Sequence, residues 1–265
     1  FLEYRYYDSD KKRLDLNGML EDLYKAEKGT IVILHVCAHN PTGMDPTQNE
    51  WDKILEVVQE RKLFPFFDMA YQGFSSGDLD KDAYSLRKFA DTGMNMCLAQ
   101  SYAKNFGLYG QRIGCFSLIT DSKKEAIASE SQIKYIARAQ YSTPPKNGAL
   151  IVDIILSDPN LTKEWHEELN IMSNRINDMR YALYENLKKC GSKLNWDHII
   201  KQIGMFAYTG LTPEQVNRLK VEYHIYMTVS GRISVAGLNP TNVEYVAKAF
   251  HEVTKLAKTD KIVKI

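Results

Sequence analysis

No apolar run in the 265 residues is long enough to span a bilayer, and the charges nearly cancel, with 34 Lys and Arg against 33 Asp and Glu for a net charge of +1. The first absence gives no reason to expect a membrane partner. The second removes the electrostatic reason to expect nucleic acid or an anionic surface. Cysteine is scarce. Cys37, Cys97, Cys115 and Cys190 form no CxxC pair, and three of them lie in or beside apolar strand-like runs, so buried free thiols in a reducing compartment are expected. There is neither an initiator Met nor a signal-peptide pattern ahead of Phe1-Leu2-Glu3-Tyr4, and the chain reads as starting inside a fold. Repeats and low-complexity stretches are missing as well. What remains is an ordinary composition, 44% apolar and 25% charged, enough for a sizeable core in one or two domains.

Short apolar runs alternate with amphipathic ones. Ile31–Val36 has the character of a strand buried on both faces, and the turn Asn40-Pro-Thr-Gly43 follows it. Thr47-Gln-Asn-Glu50 is a capping box, after which Trp51, Ile54, Leu55 and Val58 recur at helical spacing. Leu63–Phe67 is the next expected strand, ended by Asp68. Asp82–Ala90 is expected to be helical, and Met94–Ala99 and Gly114–Ile119 to be strands. Such alternation predicts a doubly wound α/β sheet, in which ligands sit beyond the carboxyl ends of the strands.

After Thr143-Pro-Pro145 the pattern changes. Leu161, Trp165, Leu169, Met172, Ile176, Met179, Leu183 and Leu187 recur at spacings of three and four, which predicts one long helix from about Pro159 to Cys190, closed by Gly191 and able to bridge two domains. Beyond it the pattern predicts a strand at Met205–Tyr208, a helix capped by Thr212-Pro-Glu-Gln215, a strand at Ile225–Val229, the turn Ser230-Gly231 and a strand at Arg232–Ala236. A last helix is expected from Thr241-Asn-Val-Glu244, with Val243, Val246, Phe250 and Val253 on one face. These elements make a smaller α/β domain.

One lysine stands out. Lys104 lies in Ser101-Tyr-Ala-Lys-Asn-Phe-Gly107, directly after an expected strand. Asp68-Met-Ala-Tyr71 and Asn40-Pro-Thr-Gly43 follow other strands, and Arg112 lies downstream. A primary amine at a strand end, among a carboxylate, a phenol, an amide and a guanidinium, is what pyridoxal phosphate chemistry needs, because the amine condenses with the aldehyde and the other groups tune the ring and hold the phosphate. Each residue also has an ordinary reading. Asp68 suits a helix N-cap, Asn40 a turn ahead of Pro41, Arg232 a solvated strand edge, and Ser101-x-x-Lys104 a penicillin-binding or β-lactamase nucleophile motif, for which no S-D-N or K-T-G partner is present. His35 and His39 are four apart on a strand and its exit, a span of about 13 Å that argues against a shared metal. His35 is expected as a neighbour of Asp68.

Taken together, Asn40-Pro-Thr-Gly43, Asp68-x-x-Tyr71, Ser101-x-x-Lys104-Asn-Phe-Gly-Leu-Tyr109 and Gly231-Arg-Ile233 resemble the fold-type I, class I pyridoxal-phosphate-dependent aminotransferases. His35-x-x-x-His39-Asn-Pro-Thr-Gly, Phe66-Phe-Asp-x-Ala-Tyr-Gln-Gly-Phe74 and Gly204-Met-Phe206 resemble the aspartate aminotransferase family in particular, in order and spacing and over nearly the whole chain.

The resemblance implies a mainly parallel central sheet sandwiched by helices. Residues 1–165 would be the C-terminal portion of a cofactor-binding large domain, and 166–265 a small domain joined by the long helix. It implies Lys104 as the residue that holds pyridoxal 5′-phosphate and moves the proton, Asp68 on the pyridine nitrogen, and Tyr71 and Asn40 on the phenolic oxygen. Ser101 and Arg112 would hold the phosphate, Arg232 the substrate α-carboxylate, and Asn40 would also contact the substrate. Arg138 would reach a distal carboxylate from the neighbouring subunit of a homodimer; its ordinary reading is a cation at a helix C-terminus. The implied substrates are amino and oxo dicarboxylic acids, with transfer from aspartate to 2-oxoglutarate. Aromatic amino acids, or a non-catalytic fragment, are the alternatives. The implied compartment is cytoplasmic, with mitochondria open. The family's upstream third is not among these residues, so the isolated chain is expected to bind the cofactor poorly.

Overall fold

The computed structural model describes residues 1–255, so the last ten residues of the expected small domain lie outside it. The elements in chain order are β1 (Tyr7–Asp8), β2 (Arg13–Leu14), α1 (Leu16–Lys25), β3 (Ile31–His35), α2 (Gln48–Glu60), β4 (Phe64–Met69), α3 (Leu79–Asp82), α4 (Tyr84–Ala90), β5 (Met96–Ser101) and β6 (Gly114–Ile119). They continue with α5 (Lys123–Tyr141), α6 (Asn147–Ser157), α7 (Pro159–Lys189), α8 (Asp197–Lys201), β7 (Phe206–Tyr208), α9 (Pro213–Tyr223), β8 (Arg232–Ser234) and α10 (Val243–Thr254).

The central sheet has the order β3-β4-β5-β6. Its first three strands are parallel and β6 runs antiparallel to β5. Parallel register places His35 beside Asp68 and Asp68 beside Ala99, near the carboxyl ends of their strands. One core forms around this sheet. Val32 and Leu34 of β3, Phe67 and Met69 of β4 and Met96 of β5 pack with Trp51, Ile54 and Val58 of α2 and with Phe89 of α4. The periodicity of α2 thus buries the predicted face, and Thr47 and Glu50 close the expected capping box.

A second core gathers around α7, which runs 31 residues with Asp158 as its N-cap and Pro159 in its first turn. Its Leu169, Ile176, Leu183 and Leu187 pack against Ile199, Ala207, Leu219, Val235 and Phe250, and Phe74 joins them from the loop after β4. Arg180 is also inside, and its guanidinium donates to the carbonyls of Ile199, Gly204 and Phe206.

Several expectations are corrected. Ile225–Val229 is not a strand. After the left-handed cap at His224, the Ile225 N–H turns back to the Leu219 carbonyl and Gly231 N–H bonds Thr228, so no ladder is left for this segment and β8 pairs with β7 alone. The expected helix over 82–90 breaks at Ala83, where the Asp82 side chain is drawn back to the Gly73–Ser76 turn. Helix α10 starts at Val243 and not at Thr241, because the Asn239 carboxamide holds the Thr241 and Asn242 N–H groups in a turn ahead of it. Cys37 and Cys97 are buried free thiols, but Cys115 is exposed, as is the whole first part of β6 from Gly114 to Ser117.

Candidate active site

Three loops that leave the carboxyl ends of β3, β4 and β5 converge with β8. Tyr71 sits two residues past β4 and is 7% exposed. Lys104 lies in the turn after β5, closed by the Gly107 N–H bonding the Lys104 carbonyl, and its Nζ stands 4.8 Å from the centre of the Tyr71 ring. Asn40 donates from Nδ2 toward the Tyr71 hydroxyl at 3.5 Å and accepts from Arg232 Nη1 at 2.6 Å on Oδ1. One carboxamide therefore joins the β3 loop, the β4 loop and the strand of the second core.

Burial pushes the Tyr71 phenol above its ordinary range, with Arg232 and the Asn40 bond pulling the other way and Asp68 adding to the rise. The phenol therefore stays neutral near neutral pH, and its oxygen accepts from Asn40. His35 is held below its usual value by burial, although the Asp68 carboxylate opposes that shift, so the expected His35–Asp68 neighbourhood is present.

His35 and His39 depart from expectation. Their ring centroids are 4.5 Å apart, because β3 ends at His35 and Ala38 adopts a left-handed backbone that turns the chain back. The extended-strand distance does not apply here. Among the described residues no group of three or more His, Cys, Asp and Glu is placed to hold a metal. The His39 ring instead stacks on Tyr6 at 3.8 Å, and burial lowers its pKa to about 3.

Ser101 ends β5 in register with Gly114, and its Oγ accepts from the Ala103 N–H at 3.2 Å, leaving the hydroxyl proton free to donate outward. Arg112 follows a short 3-10 turn in a left-handed conformation (φ 50°), uncommon for a side chain of this size. It is exposed, and its recorded bond is one from Nη1 to the Tyr109 carbonyl. Arg138 is not brought to this group: it stands exposed in the last turn of α5, a helix with no buried residue.

Sequence reasoning gave no role to the groups behind the site. Phe206 lies under the Arg232 guanidinium at 4.5 Å and meets Tyr71 edge-on at 5.8 Å. Trp165 of α7 donates Nε1–H to the Asn105 carbonyl at 2.7 Å and stacks on Phe106 at 4.3 Å, so the long helix grips the Lys104 turn from outside. Asn105 is buried and its Oδ1 has no partner. The tryptophan was visible in sequence as one of a helical stripe, with nothing to say which loop it would meet.

The donor set suits a phosphorylated aromatic aldehyde. A primary amine, a neutral phenol and a carboxamide face one region, the Asp68 carboxylate is near enough to act on the phenol, and a hydroxyl and a guanidinium lie where β5 ends and β6 begins.

Comparisons with known proteins agree with this geometry. The chain is 52% identical over 252 residues to the mitochondrial aspartate aminotransferase of Arabidopsis thaliana, covering 95% of this chain and 59% of that protein. It therefore spans about three fifths of the length of that relative. It superposes on a mitochondrial aspartate aminotransferase from Trypanosoma brucei with a TM-score of 0.94 at 52% identity, covering 96% of this chain and 67% of that one. A Burkholderia pseudomallei aromatic-amino-acid aminotransferase, solved covalently bound to pyridoxal phosphate, gives a TM-score of 0.94 at 45% identity, covering 96% of this chain and 63% of that one. The family model for class I and II aminotransferases matches residues 1–250, nearly all that the structure describes, and the chain is a member of that family.

Proposed function

We propose that the full-length protein is a pyridoxal 5′-phosphate-dependent aspartate aminotransferase, moving the amino group of L-aspartate to 2-oxoglutarate in a ping-pong cycle. The observation that carries this reading is the contact between Lys104 and Tyr71, with Asn40 and Arg232 linked to the same phenol, inside a chain of the aminotransferase family. Pyridoxal phosphate, when bound, supplies an aldehyde for amino groups and a protonated pyridine that withdraws electrons from the substrate Cα.

The chain's own residues do the rest. Lys104 would hold the cofactor covalently through Nζ, and the same amine would serve as the base that takes the proton from the substrate Cα. Asp68 pairs with the pyridine N–H and keeps that proton in place. Tyr71 and Asn40 donate to the ring oxygen. Ser101 and Arg112 grip the phosphate, Arg112 as a planar charged fork.

Arg232 binds the α-carboxylate of substrate, with Asn40, its hydrogen-bond partner, beside it. Arg138 takes the distal carboxylate from the neighbouring subunit, so the working unit is a homodimer with sites at the interface. Residues 1–165 serve the cofactor and 166–265 form the small domain. The four free thiols fit a reducing compartment, the cytoplasm or the mitochondrial interior named for the relatives.

A second reading takes aromatic amino acids as donors, supported by the Burkholderia structure. The family assignment removes the reading of Ser101-x-x-Lys104 as an acyl-enzyme nucleophile. The test is the absorbance spectrum of full-length protein with added pyridoxal phosphate. A visible band that aspartate and 2-oxoglutarate shift in opposite directions supports the first reading. A band moved by phenylalanine and not by aspartate supports the second, and no band at all contradicts both.

A further inference from the structure

The two loops that bring Asn40 and Tyr71 to Lys104 are each closed from behind by a carboxylate, buried at Asp82 and half-buried at Asp45. Asp82, 4% exposed, accepts from the N–H groups of Gly73, Ser75 and Ser76 and from the Ser76 hydroxyl, and so fixes the turn that leaves Tyr71. Asp45 does the same for the other loop. Its Oδ2 accepts from the Ala38 N–H at 2.6 Å and its Oδ1 from the His39 N–H at 2.8 Å. Two successive backbone N–H groups pointing one way form a concavity for an anion, and the left-handed Ala38 is what points them together.

The loop is held on its other sides as well. Ala38 is pressed by Gly204, where a Cβ would fall 2.6 Å from the Ala38 Cβ. The His39 carbonyl is taken by Gly43 N–H, and the Gly43 carbonyl by Ile203 N–H. The next residue is Asn40, whose one carboxamide reaches Tyr71 with its NH2 and Arg232 with its oxygen. Burial, with a contribution from Asp82, pushes the Asp45 carboxyl up to about 6, so the charge is kept at this place against a solvation cost.

We propose that Asp45 is a positioning residue that sets the direction of the Asn40 carboxamide, and through it the hydrogen bond that stabilises the ionised form of the cofactor's ring oxygen. This rests on the cofactor reading above. Asp45→Asn is the sharpest variant, because an amide offers one acceptor and turns its NH2 group against the second backbone N–H. Asp45→Ser keeps an acceptor and adds no fixed donor there, and serves if Asp45→Asn does not fold.

The readout is the pH midpoint of the colour change of full-length protein loaded with pyridoxal phosphate, taken for wild type, Asp45→Asn, Asn40→Ala and the double variant. Loss of one hydrogen bond to an ionised group moves such a midpoint by about 1–2 pH units, here upward. The expected result is a similar rise in both single variants and no further rise in the double. A residue with a merely structural role would lower the melting temperature and leave the midpoint where it was. Unchanged midpoints, or shifts that add in the double variant, overturn the role of Asp45 and leave the cofactor reading standing. Failure of both Asp45 variants to fold makes the residue structural and overturns the inference. No colour in the wild type overturns the cofactor reading and this inference with it.

Discussion

Arg232 and Asn40 are 192 residues apart in sequence, yet the Arg232 guanidinium donates to the Asn40 carboxamide oxygen at 2.6 Å. Arg232 is anchored in β8 of the second core, and Asn40 in the loop that leaves β3 of the first. The bond thus ties the two cores together at Lys104. It also occupies the guanidinium group proposed to receive the substrate carboxylate.

Phe206 supports that guanidinium from below at 4.5 Å. Cation–π attraction at a partly desolvated site is worth ~0.5–2 kcal/mol. Phe206→Leu is therefore expected to lower kcat/KM for aspartate by roughly 2- to 30-fold, chiefly through KM, because Arg232 keeps its charge and loses only its platform. Steady-state kinetics check this. An unchanged KM would mean that the ring does not hold the arginine in its binding pose.

Asp68→Ala is expected to cost more in turnover than in cofactor retention. The carboxylate lies in register between His35 and Ala99, at the strand end nearest the site. A charge-assisted hydrogen bond is worth ~1.5–3 kcal/mol, so a loss of roughly ten- to more than a hundredfold in kcat is expected. The checks are single-turnover rates together with equilibrium binding of pyridoxal phosphate. Unchanged kcat rejects the role.

Arg138 stands away from the site of its own chain, exposed on α5. Arg138→Asp is expected to lower kcat/KM for aspartate by about 30-fold to several thousandfold, the cost of losing one buried charge pair of ~2–5 kcal/mol, and to raise relative activity on basic amino acids. Mixing an Arg138 variant with an Arg232 variant tests the origin of the two residues. If they serve one site from different chains, each heterodimer has one intact site and activity returns toward half per dimer. No recovery, with heterodimers verified, contradicts the shared site.

His198 provides a pH test that is independent of the cofactor. Burial, with Lys12 adding to it, lowers its pKa to about 4, while Nε2 lies 3.0 Å from the Thr209 carbonyl. Between about pH 4 and the ordinary value near 6.5, the unfolded chain binds a proton that the folded chain does not. Stability therefore rises with pH across that window, by up to about 1.4 kcal/mol per pH unit for one proton. His198→Gln keeps a donor toward Thr209 and removes this titration. Urea unfolding of both proteins at pH 5 and pH 7 should show a smaller pH effect in the variant, and equal pH effects would contradict neutral burial of His198. Comparing the two proteins cancels the opposite trend expected of Asp45, whose raised pKa favours folding at low pH.

What could be read in the sequence was local. The α7 helix and the boxes at Thr47 and Thr212 depend on spacings within a few residues, and all are present, although Leu161 and Met172 of the α7 stripe are exposed. Lys104, Tyr71 and Asn40 were legible because a parallel sheet brings its strand ends to one edge. What was not legible depends on partners distant in the chain. Asp45 and Asp82 look like ordinary loop carboxylates until the N–H groups they hold are seen. Tyr226 and Val229 suggested a strand, but strand pairing is decided by whether a neighbouring edge is free, and here turns take the hydrogen bonds. Helix α5 shows no buried face, so its pattern carried no signal.

The central claim is that Lys104 forms a covalent bond with pyridoxal phosphate. Full-length protein is incubated with the cofactor, reduced with borohydride, digested, and read by mass spectrometry, alongside a Lys104→Ala variant whose fold is verified by circular dichroism. The account predicts a phosphopyridoxyl group on the peptide carrying Lys104 in the wild type, with aspartate added before reduction preventing the label, and no label in the variant. A label on some other lysine, or equal labelling in Lys104→Ala, would contradict it.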